Sequence, residues 1–370
     1  MDRLTKLYVE ITTFCNLSCE MCVQRVWDER PGAMSVETFA ALMEQVRDLP
    51  EPPVIHLGGY GEPMVHPDFI EIVRLAKATG AQVDVTTNGM MLTPERSQAL
   101  IALDLDKLVV SVDGLTPDSY SDVRVNGDLN RVIRNLRYLH QLRIRKSGRH
   151  GKPLFAIAFV AMKSNIHELP ELSRLASYIG AWEIKVSNVV PHTREMEAEI
   201  LYEQALRAAT FRQSRWAINM SLPRMDFSLD TVGPLQDVYN SRVSVDLMGT
   251  SLSERTGYCR FAQEGFAAVR ADGEVSPCLS LLHTHSEYIH GWRRDVLHHG
   301  FGNIRTRPLA DIWADAAYVD FREQVRRFEF SPCTTCGGCE RFPLNVEDCT
   351  EHNFPTCGGC LWAQGIVECP

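Results

Sequence analysis

Six short apolar runs, each separated from the next by an amphipathic helical stretch, constrain this chain more than anything else in it. They are Leu7–Ile11, Val54–Leu57, Gln82–Thr86, Leu108–Val112, Leu154–Ala161 and Glu183–Val189. Their lengths suit strands, and the stretches between them carry helix punctuation. Ser35 is placed to cap a helix whose Phe39, Leu42, Met43 and Val46 recur at three- and four-residue spacing. Thr93 before Pro94 starts another helix, with proline at its first position. Gly80 and Gly180 stand where helices should stop. Strands joined through helices run parallel, with the helices outside the sheet. The pattern predicts an α/β fold, a partial (β/α)6 barrel rather than a closed eight-fold one.

Reactive groups in such barrels collect at the C-terminal ends of the strands. There this chain carries Cys15, Cys19 and Cys22, at spacing Cys-x3-Cys-x2-Cys after the first run. Three thiolates fill three corners of a cubane [4Fe–4S] cluster and leave one iron open to a ligand that is not protein. Gly58-Gly59-Tyr60-Gly61-Glu62-Pro63 follows the second run and Thr87-Asn88-Gly89 the third. Ser111-Val112-Asp113-Gly114 ends the fourth, Asn165 follows the fifth and Asn188 ends the sixth. Each short motif alone also reads as a plain turn. Their convergence on one rim is what points to a site.

The chain has 370 residues, 45% of them apolar and 23% charged, which suits a soluble globular protein with room for two domains. Its formal charge of −9 gives no electrostatic case for nucleic acid. No apolar run approaches the ~18 residues of a membrane span, and Met-Asp-Arg-Leu-Thr-Lys does not read as a signal peptide. The expected home is the cytoplasm. In that reducing setting, twelve cysteines in tight groups indicate metal rather than disulfides.

The barrel is expected over residues 1–200. Residues 201–255 read as a linker or insertion with at least one helix, near Glu199–Ala208. Residues 256–370 read as a small Cys-rich α+β domain organised around metal, because periodic apolar sequence is scarce there. One helix is expected over Leu309–Arg327, with Ile312, Trp313, Ala316, Phe321 and Val325 on its apolar side. Asp272-Gly273 reads as a hairpin turn that brings Cys259 and Cys278 together. Then come Cys333, Cys336, Cys339, Cys349, Cys357, Cys360 and Cys369. Two fully ligated clusters would leave one of these nine over, and spacing does not say which. The Cys-x2-Cys pairs also suit zinc. His283, His285, His290, His298 and His299 read as a polar loop.

Together the open-cornered triad and the rim motifs resemble the radical S-adenosylmethionine (SAM) superfamily. Phe301-Gly-Asn-Ile304 through Phe330-Ser-Pro-Cys333 resembles the start of a SPASM domain, that superfamily's extension for auxiliary clusters. Here Cys339 comes earlier than the usual SPASM spacing, and the later spacings are longer. The resemblance implies that Cys15, Cys19 and Cys22 hold a [4Fe–4S] cluster whose fourth iron binds SAM. It implies reductive cleavage of SAM to a 5′-deoxyadenosyl radical, and two auxiliary [4Fe–4S] clusters on the later cysteines. It casts Glu62 as acceptor for the SAM ammonium beside a backbone opened by Gly59 and Gly61, although Tyr60 and Gly61 separate this Glu from the glycine pair. Asn88, Ser111 and Asp113 are placed for ribose or the methionyl carboxylate, and Arg124 for a bidentate fork on that carboxylate. Met21 takes the place of an aromatic residue near adenine. Tyr60 is a candidate to position substrate or relay an electron, and Trp362 to shield a cluster.

Two stretches narrow the resemblance: Gly59-Tyr-Gly-Glu-Pro-Met-Val-His-Pro-Asp68 and Pro355-Thr-Cys-Gly-Gly-Cys-Leu-Trp-Ala-Gln-Gly-Ile-Val-Glu-Cys-Pro370. They are similar to the radical SAM maturases associated with tungsten-containing aldehyde oxidoreductases. This implies an anaerobic enzyme, reduced by flavodoxin or ferredoxin, that acts on a protein, peptide or pterin-type precursor. An enzyme that crosslinks a ribosomally made peptide is the alternative within the class. A non-catalytic iron–sulfur carrier or a zinc scaffold is the alternative outside it. The open corner argues against both, because a carrier gains nothing from an exchangeable iron.

Overall fold

The six runs form six parallel strands: β1 (Lys6–Val9), β2 (Val54–Leu57), β3 (Val83–Thr87), β4 (Lys107–Ser111), β5 (Leu154–Ala161) and β6 (Glu183–Asn188). Each hydrogen-bonds to the next in sequence order. The computed structural model describes residues 3–148, 151–203, 206, 219–222, 225–226, 228, 230–234, 244–247, 250–251, 257–328, 330–331, 333–336 and 339–368. Between the strands lie helices α1 (Val36–Arg47), α2 (Phe69–Lys77), α3 (Pro94–Ala102), α4 (Pro117–Val123), α5 (Leu129–Ser147) and α6 (Leu172–Ile179).

The caps lie where the sequence puts them. Ser35 accepts from the Thr38 N–H and Thr93 from the Arg96 N–H, each satisfying a donor that the first helical turn leaves unpaired. Gly180 ends α6 at φ +73°, a left-handed conformation open to glycine. One face of the strands is apolar. Leu7, Val9, Ile55, Leu57, Val83, Val85, Leu108, Val110, Phe155 and Ile157 pack there with Phe39, Leu42, Met43 and Val46 of α1 in one core. The opposite face carries Lys6, His56, Asp84, Thr86, Lys107 and Ser111, which line the barrel interior.

The cysteine-rich segment continues this sheet. Strands β7 (Asn219–Leu222), β8 (Ser244–Leu247) and β9 (Thr250–Ser251) form a separate small sheet. No strand was expected there, because the segment lacks a clear period. The helix expected at Glu199–Ala208 lies largely outside the described residues. Strand β10 (Phe266–Val269) then pairs parallel to β1, Lys6 opposite Phe266 and Val9 opposite Val269. Antiparallel β11 (Glu274–Ser276) follows through the expected Asp272-Gly273 turn, with Gly273 at φ +92°. Hydrogen bonding therefore runs unbroken across the expected boundary near residue 256.

Strands β12 (His285–Ile289) and β13 (Trp292–Val296) form a hairpin. Of the histidine group, His285 lies in β12 and His290 in the turn between the two strands, whereas His283, His298 and His299 lie in the loops flanking the hairpin. The helix expected over Leu309–Arg327 is two helices, Leu309–Trp313 and Ala316–Arg327. Asp315 accepts from the Ala317 N–H and caps the second. The apolar period carries through the break, which is why the sequence reads as one helix.

Candidate active site at the barrel rim

The loop after β1 carries the cysteine triad and is tied to the barrel on both sides. Ser18 N–H donates to the Val125 carbonyl at 3.1 Å and Glu20 N–H to that of Val123 at 3.0 Å. Gln24 Nε2 donates to the Thr13 carbonyl at 2.7 Å and the Tyr60 carbonyl at 2.9 Å. Cys15, Cys19 and Cys22 all face one cavity of about 390 Å³. Burial pushes all three thiols up, Cys19 to about 11; Cys15 and Cys22 add to the rise at Cys19, and Cys15 adds to it at Cys22. Arg124 opposes the shift at each. Three crowded thiols that resist ionising alone are a donor set for a cation that compensates them together.

Glu62 stands across the same cavity, 3% exposed. Its Oε1 accepts from Met64 N–H at 3.0 Å and Thr87 Oγ1 at 2.7 Å, and Oε2 accepts from Asn88 N–H at 2.7 Å. A carboxylate has about four acceptor positions, so one remains, on Oε2. Burial raises the Glu62 pKa, and these bonds hold the rise back. Asn88 also donates through Nδ2 to Asn16 in the cysteine loop at 3.0 Å. Ser111 lines the cavity, and its hydroxyl has no protein partner among the described residues.

Other rim residues turn inward. Asp113 is fully buried, with Oδ2 on Arg124 Nε at 2.7 Å and Nη2 at 2.6 Å, and Oδ1 on Val160 N–H at 2.7 Å. Both its oxygens are held by protein groups, and Arg124, not Asp113, reaches the cavity. Burial works against the Arg124 charge, but Asp113 and then Cys19 outweigh it and raise its pKa. Gly59 and Gly61 make their close approach to protein. A Cβ on Gly59 would lie 2.8 Å from Glu10, and one on Gly61 2.1 Å from the Thr12 carbonyl oxygen. Asn165 ties β5 internally, donating to the Asp113 and Val160 carbonyls. Asn188 donates to the Ile366 carbonyl at 2.7 Å and brings the C-terminal segment against the cavity.

Glu10 escaped the sequence reading. Its Oε1 accepts from Tyr60 N–H at 3.0 Å, and its Oε2 meets His283 Nε2 at 2.7 Å. His283 Nδ1 meets Glu29 at 2.8 Å, and Trp27 covers the imidazole at 4.2 Å. Only the period-two pattern Lys6, Tyr8, Glu10 hinted at inward polar residues. Tyr60 donates its hydroxyl to the Leu279 carbonyl at 3.0 Å, which joins the rim to the cysteine-rich segment.

The later cysteines fall into two groups. Cys357 feels Cys360, Cys259 and Cys278, and a small pocket is lined by Cys259, Cys278 and Cys360 with Leu279 and Trp362. Cys333 feels Cys349 and Cys339, and Cys336 closes the same helical turn, Cys333–Cys336. Burial pushes the thiols of Cys333, Cys357 and Cys360 up, and Arg294, paired with buried Glu287 at 2.7 Å, opposes the rise. Trp362 lines both the rim cavity and the smaller pocket. Cys369 lies outside the described residues. His285, His290 and His298 each contact a carbonyl or carboxylate of the protein.

The sequence model of the radical SAM superfamily matches residues 9–157, and that of SPASM, an iron-sulfur cluster-binding domain, matches residues 259–340. The chain is 33% identical to the tungsten-containing aldehyde ferredoxin oxidoreductase cofactor-modifying protein of Pyrococcus furiosus, over 98% of this chain and 96% of that protein. This chain belongs to the radical SAM superfamily. As a radical SAM enzyme it uses a SAM-binding [4Fe–4S] cluster and auxiliary clusters. It is also 25% identical to the PqqA peptide cyclase of Gluconobacter oxydans, over 95% of this chain and 89% of that one. Native anSMEcpe with bound AdoMet shares the fold at TM-score 0.57 and 16% identity, covering 98% of this chain and 96% of its own. Streptococcus suis SuiB bound to the precursor peptide SuiA does so at TM-score 0.57 and 16% identity, covering 90% of this chain and 69% of its own. Among the described residues no helix is long and apolar enough to cross a membrane.

Proposed function

We propose that this radical SAM enzyme is a maturase for a tungsten-containing aldehyde oxidoreductase, acting on that enzyme's cofactor or on a precursor of it. The observation that carries this is the end-to-end similarity to the Pyrococcus furiosus cofactor-modifying protein, together with one cavity joining the cysteine triad to a polar barrel interior. Cys15, Cys19 and Cys22 hold the SAM-binding cluster. Glu62 accepts from the SAM ammonium through the open position on Oε2. Asn88 and Ser111 face the rest of SAM, Arg124 faces its carboxylate, and Asp113 holds Arg124 in place. When bound, the cluster and SAM supply one-electron cleavage of a C–S bond and a 5′-deoxyadenosyl radical. The chain's own part is to orient substrate beneath the rim and to keep water out.

One auxiliary cluster takes Cys259, Cys278, Cys357 and Cys360, and the other Cys333, Cys336, Cys339 and Cys349, leaving Cys369 over. The mutual influence of the thiols within each described group supports this division. A flavodoxin or ferredoxin in an anaerobic cytoplasm is the electron donor. Peptide modification is the second reading, favoured by the similarity to the PqqA peptide cyclase.

The test is anaerobic reconstitution, then dithionite and SAM, with 5′-deoxyadenosine followed by chromatography against a Cys15/Cys19/Cys22→Ala control. Product from the wild type alone is expected. Iron-loaded protein that neither binds nor cleaves SAM would sink the assignment. A tungsten oxidoreductase that is fully active when made without this chain would turn the reading towards peptide.

A further inference from the structure

The lower half of the cavity carries charge that the rim does not use. Lys6 on β1, Lys107 on β4 and Lys185 on β6 line it, with His56 on β2 and Asp84 and Thr86 on β3. Three carboxylates, Asp84, Glu183 and Glu368, act on them, but only Glu183 comes within hydrogen-bond distance. Lys6 Nζ lies 4.0 Å from Asp84, too far for a hydrogen bond, and Lys107 Nζ is 2.5 Å from Glu183. Lys185 makes no hydrogen bond or ion pair among the described residues, and Glu183 and the exposed Glu368 act on it only through space. His56, 7% exposed, touches Thr86 Oγ1 through Nε2 at 3.0 Å. Its buried Nδ1 has no hydrogen-bond partner, and Asp84 stands 4.0 Å away.

We propose that this floor of the barrel is an anion site, built to hold the phosphate group of a small substrate whose other end lies at the rim. The inference rests on the proposed maturase reading, in which SAM is cleaved at that rim. Three ammonium groups from three strands converge here in a chain whose formal charge is −9. Ammonium groups serve phosphate as point charges. An anion between them supplies the partner that Lys185 and the His56 Nδ1 lack, and it relieves like-charge repulsion. That repulsion is visible in the lysines. Burial first, then Lys185, Arg260 and Lys107, bring Lys6 down to about 8 against the pull of Asp84. Burial and these same three lysines push His56 well down, so it stays neutral.

The depth of the site sets the size of the ligand. Lys6 lies four residues below Glu10, and Lys107 four below Ser111. At ~3.3 Å of rise per residue the floor is roughly 13 Å beneath the rim. A phosphate ester roughly 13 Å long spans that distance. The cavity of about 390 Å³ also takes SAM at its rim, so the space left beneath suits a small molecule better than a polypeptide segment.

Inorganic phosphate is the probe, titrated calorimetrically into the reconstituted full-length protein with SAM present, at ionic strength matched with chloride. One site is expected, weakened about tenfold or more by Lys185→Met and restored by Lys185→Arg. Loss of binding in Lys6→Met as well would support the same pocket. No phosphate binding by protein that still makes 5′-deoxyadenosine overturns the anion site and leaves the maturase reading standing. Unchanged binding in both methionine variants overturns it too. Phosphate binding by iron-loaded protein that neither binds nor cleaves SAM supports the site and overturns the maturase reading. Tighter binding of a tetraglutamate peptide than of phosphate overturns the small-ester ligand and makes the lumen a channel for an acidic chain.

Discussion

Glu62→Gln is the substitution whose effect can be worked through atom by atom. The wild-type carboxylate accepts three protein hydrogen bonds, two on Oε1 and one on Oε2. Glutamine keeps one oxygen. If its NH2 takes the Oε1 position, the Met64 N–H and the Thr87 hydroxyl both lose their acceptor. If it takes the Oε2 position, only Asn88 N–H does, so this orientation is expected. A buried donor then faces a donor, which costs about 1–3 kcal/mol of stability. The same flip replaces the one open acceptor position with a donor pointing at the SAM ammonium. Losing a hydrogen bond to a charged group, about 1.5–3 kcal/mol, weakens SAM binding roughly ten- to hundredfold. Calorimetric titration of SAM into the reconstituted variant reads the second effect and urea unfolding the first. SAM affinity within about twofold of wild type would refute the assignment of Oε2, because even a weak charge-assisted bond exceeds that.

Gly61→Ala sets a Cβ 2.1 Å from the Thr12 carbonyl oxygen, where backbone meets backbone and nothing flexible can yield. A loss of about 3 kcal/mol or more, or no soluble protein, is expected from urea unfolding. Asp113→Ala leaves the Arg124 charge buried and unpaired, a cost of about 3–5 kcal/mol; a drop under about 1 kcal/mol by the same assay would contradict the pairing. The pH dependence contains two opposite slopes. Burial disfavours the His283 charge, but Glu10 and Glu29 outweigh it and raise its pKa. The stability it adds is complete below the unfolded value of about 6.5 and fades as pH rises through the folded one. A thermal midpoint that falls on the alkaline side in wild type but not in His283→Asn tests this. Burial raises Asp106, but Lys152, Lys77 and the Val83 N–H outweigh it and hold its pKa down. Its contribution is complete above the unfolded value of about 3.9 and fades as pH falls through the folded one. Asp106→Asn is expected to flatten the acid limb of the same curve.

The parts of this molecule written in local pattern were legible. Strand–helix alternation, the caps at Ser35 and Thr93 and the cysteine spacings are each set within a few residues, and the fold keeps them. Pairings made over long separations were not. Nothing near Phe266 announces that it lies beside Lys6, and nothing near His283 announces Glu10. The rim residues show the same limit. A sequence places Asp113 at a strand end, but only the packing shows that its carboxylate is held by the Arg124 guanidinium eleven residues on. The glycines after β2 read as room for a ligand, whereas their Cβ positions are filled by Glu10 and the Thr12 backbone. Lys6, Lys107 and Lys185 were invisible as a group because each is an ordinary strand residue until three strands face one space.

The pairing of β10 with β1 has a consequence for how the molecule is made. Lys6 cannot meet Phe266 until some 260 further residues have left the ribosome, and parallel pairings over such distances form late. Until then β1 shows a flank of unpaired N–H and C=O groups, with the cysteine triad a few residues away. A nascent chain in this state is prone to aggregate and holds its first metal site without the far half of the protein to cover it. Finished structure and finished metal loading thus belong to the whole chain, and a fragment that stops before residue 266 is expected to be a poor barrel.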